Sequence, residues 1–361
     1  MLCTSILVFL FLATDGEVHE ITLTCVPTVG FYVASACPSG DGGLAVCGVT
    51  HQGVDYLNDA MASVITPRGS LDWDRTFSGV NSGWFNSVST TTDGGLLLAG
   101  ATDYSPIDEG DSWVVKVGPA GFVDWEYHRE GDEGPSEAVW AYQRESGEYM
   151  AAGYTESVDG AEVHSWLARL NRRGEMESFQ EIPWSGFKAY DGSPGPGGTY
   201  VLAGERMGIG AVCALDAEYG DIEWSDTFGR TSSFNRVILT ADEHVVAAGA
   251  LPDRSGDAAP LLCSYYPGGA RGWTSDLEGY GARGTVAGIT EFPAQGFVVV
   301  LSSAYEEVVL CDAGGSFVRF FPVAWGPSAA VRLEGNRMAL VGGGSGKMYV
   351  AFYDDPFAEE L

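Results

Sequence analysis

A short apolar run ending in a small residue and glycine returns along the whole chain. It reads GGLAVCG to Gly48, GGLLLAG to Gly100, EYMAAG to Gly153, TYVLAG to Gly204 and HVVAAG to Gly249, with weaker copies GFVVVLS to Ser302 and RMALVG to Gly342. Successive spacings are 52, 53, 51, 45, 53 and 40 residues. A period of this size marks one supersecondary unit repeated end to end, and it is too long for ankyrin or leucine-rich repeats. A second signal, G-x-x-x-W, keeps step with the first: Gly69 leads to Trp73, Gly121 to Trp125, Gly220 to Trp224 and Gly269 to Trp273. In the third and sixth copies Gly174 leads to Ser178 beside Phe179, and Gly315 to Arg319 beside Phe320. An aromatic one step off register predicts a slip or bulge there and not a lost unit.

The second copy shows how a unit is built. FNSVSTT (85–91) alternates in character, and Asp93-Gly94 follows as a tight hairpin turn. GLLLAGA (95–101) is continuously apolar, as a strand buried on both faces must be. SWVVKVG (112–118), a Pro119-Ala120-Gly121 turn and FVDWEYH (122–128) complete four strands. No stretch carries a sustained helical period.

The chain ends explain each other. The last copy supplies GKMYVAFYDDP (346–356) as a third strand and has no fourth. The N-terminus has one to spare, EVHEITLTC (17–25), and Gly16 precedes Gly48 by 32 residues much as Gly69 precedes Gly100 by 31. The spare strand is in register as the missing one, and pairing it removes the open edges. The expected fold is therefore all-β: a seven-bladed β-propeller of four-stranded antiparallel blades, the last closed by the N-terminal strand.

Composition sets limits on function. The 361 residues are 45% hydrophobic, so the chain can bury a core. With 49 acidic and 19 basic residues the net charge is −30, which repels nucleic acid and anionic membranes. The apolar run Ile6–Ala13 is too short to span a bilayer but suits a signal peptide, although no Lys or Arg precedes it. Residues 1–14 are thus expected to be a signal peptide and 15–361 a single propeller domain, extracytoplasmic and monomeric, so that any function must sit on the propeller itself. Six cysteines follow Cys3, none in a CxxC pair, and are expected as small buried hydrophobes. Cys37 and Cys47 flank one hairpin and could pair if its register allows.

The units TTDGGLLLAGATDYS…GDSWVVKVGPAGFVDWEYHREG and SGEYMAAGYTES…HSWLARLNRRGE resemble the repeats of bacterial secreted β-propellers, whose blades read DGGYxxAGxTxS…DxWLxKLxxxGxxxW. The resemblance implies an extracytoplasmic repeat propeller and carries over no catalytic residue. CALDAEYGDIEW (213–224) is similar to the tryptophan-docking element of quinone-type propellers, with Tyr219 where that pattern has Thr. Only Gly342-Gly343 offers the doublet of kelch propellers.

Up-and-down strands put the A–B and C–D turns on one face and the B–C and D–A connections on the other. The first set reads as tight turns, and the second is expected to carry the long loops, where binding concentrates. B–C segments 49–60, 101–111, 154–164, 205–210, 250–260, 304–307 and 343–347 hold 14 acidic residues against Arg206, Arg254 and Lys347. A ligand of that face is expected to be cationic or neutral. Asp103, Asp108, Glu109 and Asp111 form the densest carboxylate group and are the candidate calcium ligands, with a solvated acidic loop as the plainer reading. No cofactor is required. Trp84, Trp140, Trp184 and Trp325 are candidate binding residues for a protein or glycan partner, with blade-to-blade packing as the alternative. Histidines 19, 51, 128, 164 and 244 are scattered, and nothing resembles a nucleophile elbow. The leading expectation is a non-catalytic binding scaffold. A carbohydrate-active enzyme (hydrolase or lyase) using carboxylates on the acidic face and a quinone-like or assembly-type propeller are the alternatives.

Overall fold

The computed structural model describes residues 19–23, 30–52, 57–77, 82–104, 110–129, 134–253, 255–302, 307–323, 325–344 and 347–358. The expected signal segment and residues 105–109 of the acidic loop lie outside them. Among the described residues twenty-eight strands, numbered in chain order, form seven four-stranded antiparallel sheets. Six sheets are consecutive meanders, as in the second blade with β6 (Ser82–Thr90), β7 (Leu96–Tyr104), β8 (Asp111–Val117) and β9 (Val123–Arg129). The seventh joins β26 (Ala329–Arg332), β27 (Met338–Gly344) and β28 (Lys347–Tyr353) to β1 (His19–Leu23). The pairing runs from His19 opposite Phe352 to Leu23 opposite Met348, so the N-terminal strand does complete the last blade. The innermost strands of neighbouring blades touch all the way round, the seventh meeting the first. No helix among the described residues is long and apolar enough to cross a membrane.

The repeated glycine has a specific cause. In six blades the innermost strand carries one unpaired residue at the same place, where register steps from Val33 to Ser35, Phe85 to Ser87, Ala138 to Trp140, Ala189 to Asp191, Phe234 to Arg236 and Val286 to Gly288. The residue before each of the first five bulges faces Gly48, Gly100, Gly153, Gly204 or Gly249. A Cβ on any of these glycines would lie under 3.0 Å from a carbonyl oxygen of the inner strand, from Tyr32, Trp84, Glu137, Lys188 or Ser233. The bulge pushes that carbonyl onto the second strand, and only glycine leaves it room. In the sixth blade the equivalent position is Leu301, opposite Val286, and not Ser302 as the spacing suggested.

The G-x-x-x-W signal is a joint between blades. Gly121, Gly174, Gly269 and Gly315 have φ of 76°, 79°, 82° and 76° in the C–D turns. A Cβ on each would fall within 3.0 Å of an indole from the preceding blade: Trp73, Trp125, Trp224 and Trp273 respectively. Trp73 also donates from Nε1 to the Pro119 carbonyl, 2.9 Å away in the next blade's turn. Ser178 and Arg319 stand at the tryptophan's place in the third and sixth blades, opposite Arg169 and Leu310. The fourth-strand irregularity beside them recurs in the other copies, so no slip distinguishes these two. Phe179 alternates to the other side of its sheet, near Trp166 (5.9 Å) and under the Arg129 guanidinium (4.6 Å). Arg319 takes over the joint, donating from Nη2 to the Pro356 carbonyl at 2.9 Å. Ser178 is too short to do so.

The bulges leave carbonyls on the channel wall, and one side chain collects three of them. Arg236, in β18 (Ser233–Leu239), donates to the carbonyls of Asn235 (2.9 Å), Ala287 (2.7 Å) in the sixth blade and Ala34 (3.0 Å) in the first. Bonding the sixth and first blades from the fifth means that the guanidinium reaches across the ring axis. Asp191 lies beside it and accepts the Val237 amide at 2.9 Å.

Burial pushes the Asp191 carboxyl up to about 6, against the opposing pull of Arg236 and of the Val237 and Gly192 amides. Between about pH 4 and pH 6 the folded chain holds a proton here that the unfolded chain has released, so stability falls as pH rises through this window and is level above it. Asp191→Asn, neutral throughout, is expected to match the parent at pH 4 and exceed it by on the order of 3 kcal/mol above pH 6. Paired urea titrations across this range check the difference, and a gap independent of pH would refute the assignment.

Two further expectations change. Strands run deeper into the B–C segments than their polarity suggested, and Met207-Gly208, with φ of 53° and 77°, is a two-residue turn between β15 (Tyr200–Arg206) and β16 (Ile209–Leu215). The A–B turns, such as 39–43 and 91–95, are longer than that one, while the B–C connection 157–162 and the D–A connection 277–284 are longer again, so the longer loops do lie on the B–C/D–A face but not in every blade. Cys37 and Cys47 are free thiols. Ser35 opposes Cys47 and Cys37 opposes Ala45, so the two sulfurs belong to a diagonal pair. Burial raises both thiols, Cys37 to about 12, which leaves them unreactive.

Candidate binding site at the channel mouth

The B–C/D–A end of the second, third and fourth blades gathers a group of polar side chains. Glu137 in β10 (Ser136–Gln143) is the hub. Its Oε1 accepts from Trp84 Nε1 (2.6 Å) and Asn86 Nδ2 (2.7 Å) of the second blade, and its Oε2 from the Tyr154 hydroxyl of β11 (Tyr149–Glu156). Glu137 and Tyr154 are directly opposite on adjacent strands, which is why they meet. Three donors from two blades hold the carboxylate and tie the blades at their rims.

The neighbouring group is an ammonium on an aromatic and acidic seat. Lys188 in β14 (Phe187–Pro194) forms an ion pair with Glu156. Its Nζ lies 4.3 Å from the centre of the Tyr154 ring and 5.8 Å from that of Tyr190, the bulged residue of its own strand. Burial, and the carboxylates Glu137 and Glu156, raise the Tyr154 phenol well above its ordinary range. Burial and Glu205 do the same for Tyr190. Both rings therefore stay neutral and present intact π faces. The Glu156–Lys188 pair borders a cavity of about 380 Å³ whose lining also includes Glu162, His164, Glu205 and Met207. Glu156 is paired with Lys188, and Glu162 stands 3.6 Å from His164 with three-quarters of its side chain exposed.

The four candidate tryptophans fall into different settings. Trp84 belongs to the Glu137 hub. Trp184 stands near the cavity, its ring 4.9 Å from Phe187 and 5.6 Å from the Arg206 guanidinium. Trp140 is buried between Tyr142 (6.0 Å) and Tyr200 (5.7 Å), and Trp325 stacks on Tyr349 in the seventh blade (5.8 Å). The structure thus brings Trp84 and Trp184 toward one site and leaves the other two apart. Asp111 opens β8 opposite Thr102, while Asp108, Glu109 and the Asp103 side chain lie outside the described residues. Among the described residues no cluster of three or more His, Cys, Asp or Glu is placed to hold a metal ion. Sequence reading missed Glu137, Tyr154, Lys188 and Tyr190. A signal was present: the position after the repeat glycine is Val49, Ala101 and Ala250 in three blades but Tyr154 and Glu205 in the third and fourth.

No family model and no curated protein matches the chain. Among solved structures the chain is similar to the Dos1 propeller, at 12% identity with a TM-score of 0.56, over 88% of this chain and 77% of that one. A protein of unknown function from Bacteroides caccae aligns at 14% identity and a TM-score of 0.46, over 68% of this chain and 81% of that one. At 12% identity the first likeness speaks to the fold and to nothing finer, and the fold is a β-propeller.

Proposed function

We propose that the protein is a non-catalytic binding scaffold, acting outside the cytoplasm, that takes a basic segment of a partner protein at the mouth formed by its second to fourth blades. The observation that carries this is Lys188: the chain's own ammonium already rests on a carboxylate and two tyrosine faces, which is the chemistry a ligand lysine or arginine would use. Glu162 and Glu205 border the same cavity and supply further negative charge, in keeping with a net charge of −30. The extracytoplasmic setting is supported by the apolar run at Ile6–Ala13 and by the likeness to secreted repeats.

The test is titration with an oligolysine peptide and an oligoglutamate control at low and moderate salt. Oligolysine is expected to bind selectively and to weaken as salt rises. Glu162→Gln with Glu205→Gln, which spares the Lys188 pair, is expected to weaken binding about tenfold. Equal binding of both peptides, or no effect of the double substitution, would overturn the proposal.

A further inference from the structure

We propose that the outer junction of the third and fourth blades is a binding site for one indole ring. This site is independent of the channel mouth. At five other described junctions the chain sets a side chain of its own against the next blade's turn, Trp73, Trp125, Trp224 and Trp273 as rings and Arg319 bonded to Pro356, although a cavity of about 350 Å³ still borders Trp273. At the third junction Ser178 holds the tryptophan's place and a cavity of about 220 Å³ is left. Its lining includes Met150, Leu167, Arg169, Ser178, Tyr219 and Gly220. Gly220 keeps the left-handed turn, with φ of 69°, that receives an indole elsewhere. Here a Cβ on Gly220 would meet the end of the Gln180 side chain at 3.0 Å instead of a ring.

The chemistry around the gap suits a flat aromatic group. Leu167 and Met150 give an apolar wall, and the Met150 thioether is a favourable neighbour for a ring. Arg169, whose Nε lies 3.2 Å from Glu177 Oε2, brings a tethered guanidinium to the cavity and can offer a cation to a π face. Tyr219, 63% exposed, stands at the lip. The socket keeps the left-handed turn of the joint but meets it with the Gln180 amide, and no ring of the chain fills the space beside it.

The experiment uses the full chain labelled with 13C at methionine methyl groups. Free indole is expected to shift the Met150 methyl resonance with a Kd of about 0.1–1 mM. It is also expected to raise the melting midpoint by about 2 °C at tenfold excess over Kd. Ser178→Trp should fill the socket, raise the melting midpoint without ligand and abolish the indole response. Ser178→Leu serves the same purpose if the larger variant fails to fold. N-acetyltryptophanamide separates the sources: binding as tight as free indole indicates a partner's tryptophan, and binding of free indole alone indicates a small molecule. No Met150 shift with either probe, or an unchanged response in the filled variants, overturns the proposal.

Discussion

Gly204→Ala is expected to cost at least about 4 kcal/mol or to prevent recovery of soluble folded protein, although it adds a single methyl group. The added carbon would collide with the Lys188 carbonyl oxygen and lie 3.0 Å from the Ala189 Cα, both backbone atoms of a bulged inner strand. Neither can move without breaking the register that sets Lys188 opposite Glu205 and Ala189 opposite Gly204. Gly279→Ala is the control, because nothing lies within 4 Å of its added carbon, and a change within about 0.5 kcal/mol is expected there. Urea midpoints and soluble yield compare the two. A Gly204→Ala protein as stable as the control would mean that the inner strand can yield, and that the bulge does not dictate the repeat.

Arg236→Leu is expected to remove about 3–5 kcal/mol, because the guanidinium is the shared partner of three carbonyls on three blades. Deleting it leaves those oxygens without their donor and Asp191 without its neighbouring cation. Part of the loss should therefore disappear when Asp191→Asn is already present, since the amide carries no charge to strand. A double-mutant cycle in urea measures this. Equal costs in both backgrounds would show that Asp191 and Arg236 act separately.

The architecture was legible because repetition multiplies weak signals: seven copies of a short apolar run count for more than any one of them. The glycines were visible and their cause was not. The bulged residues Ala34, Asn86, Val139, Tyr190, Asn235 and Ala287 share no chemistry, since a bulge is a backbone event imposed by closing the ring. The reading of Phe179 failed for a related reason. An aromatic next to the expected position resembled a shifted tryptophan, yet strand alternation turns it to the opposite side, and the informative residue was the small Ser178. Arg236 left one faint mark, a charge inside the otherwise apolar end of SFNRVIL. The mouth cluster was hidden because its members come from different blades: Glu137 and Asn86 are 51 residues apart, and only the ring brings them together.

The pairing of β1 with β28 also governs how the molecule is made. His19 and Phe352 are 333 positions apart, so closing this one contact in a flexible chain costs about 2–3 kcal/mol more than closing a hairpin of about 15 residues. Such a contact is slow to form and comes late. During synthesis six blades can assemble in order while the first strand waits unpaired, and the growing protein is an open crescent with an unsatisfied edge. Its exposure to partners that donate a strand ends only when its own first strand arrives.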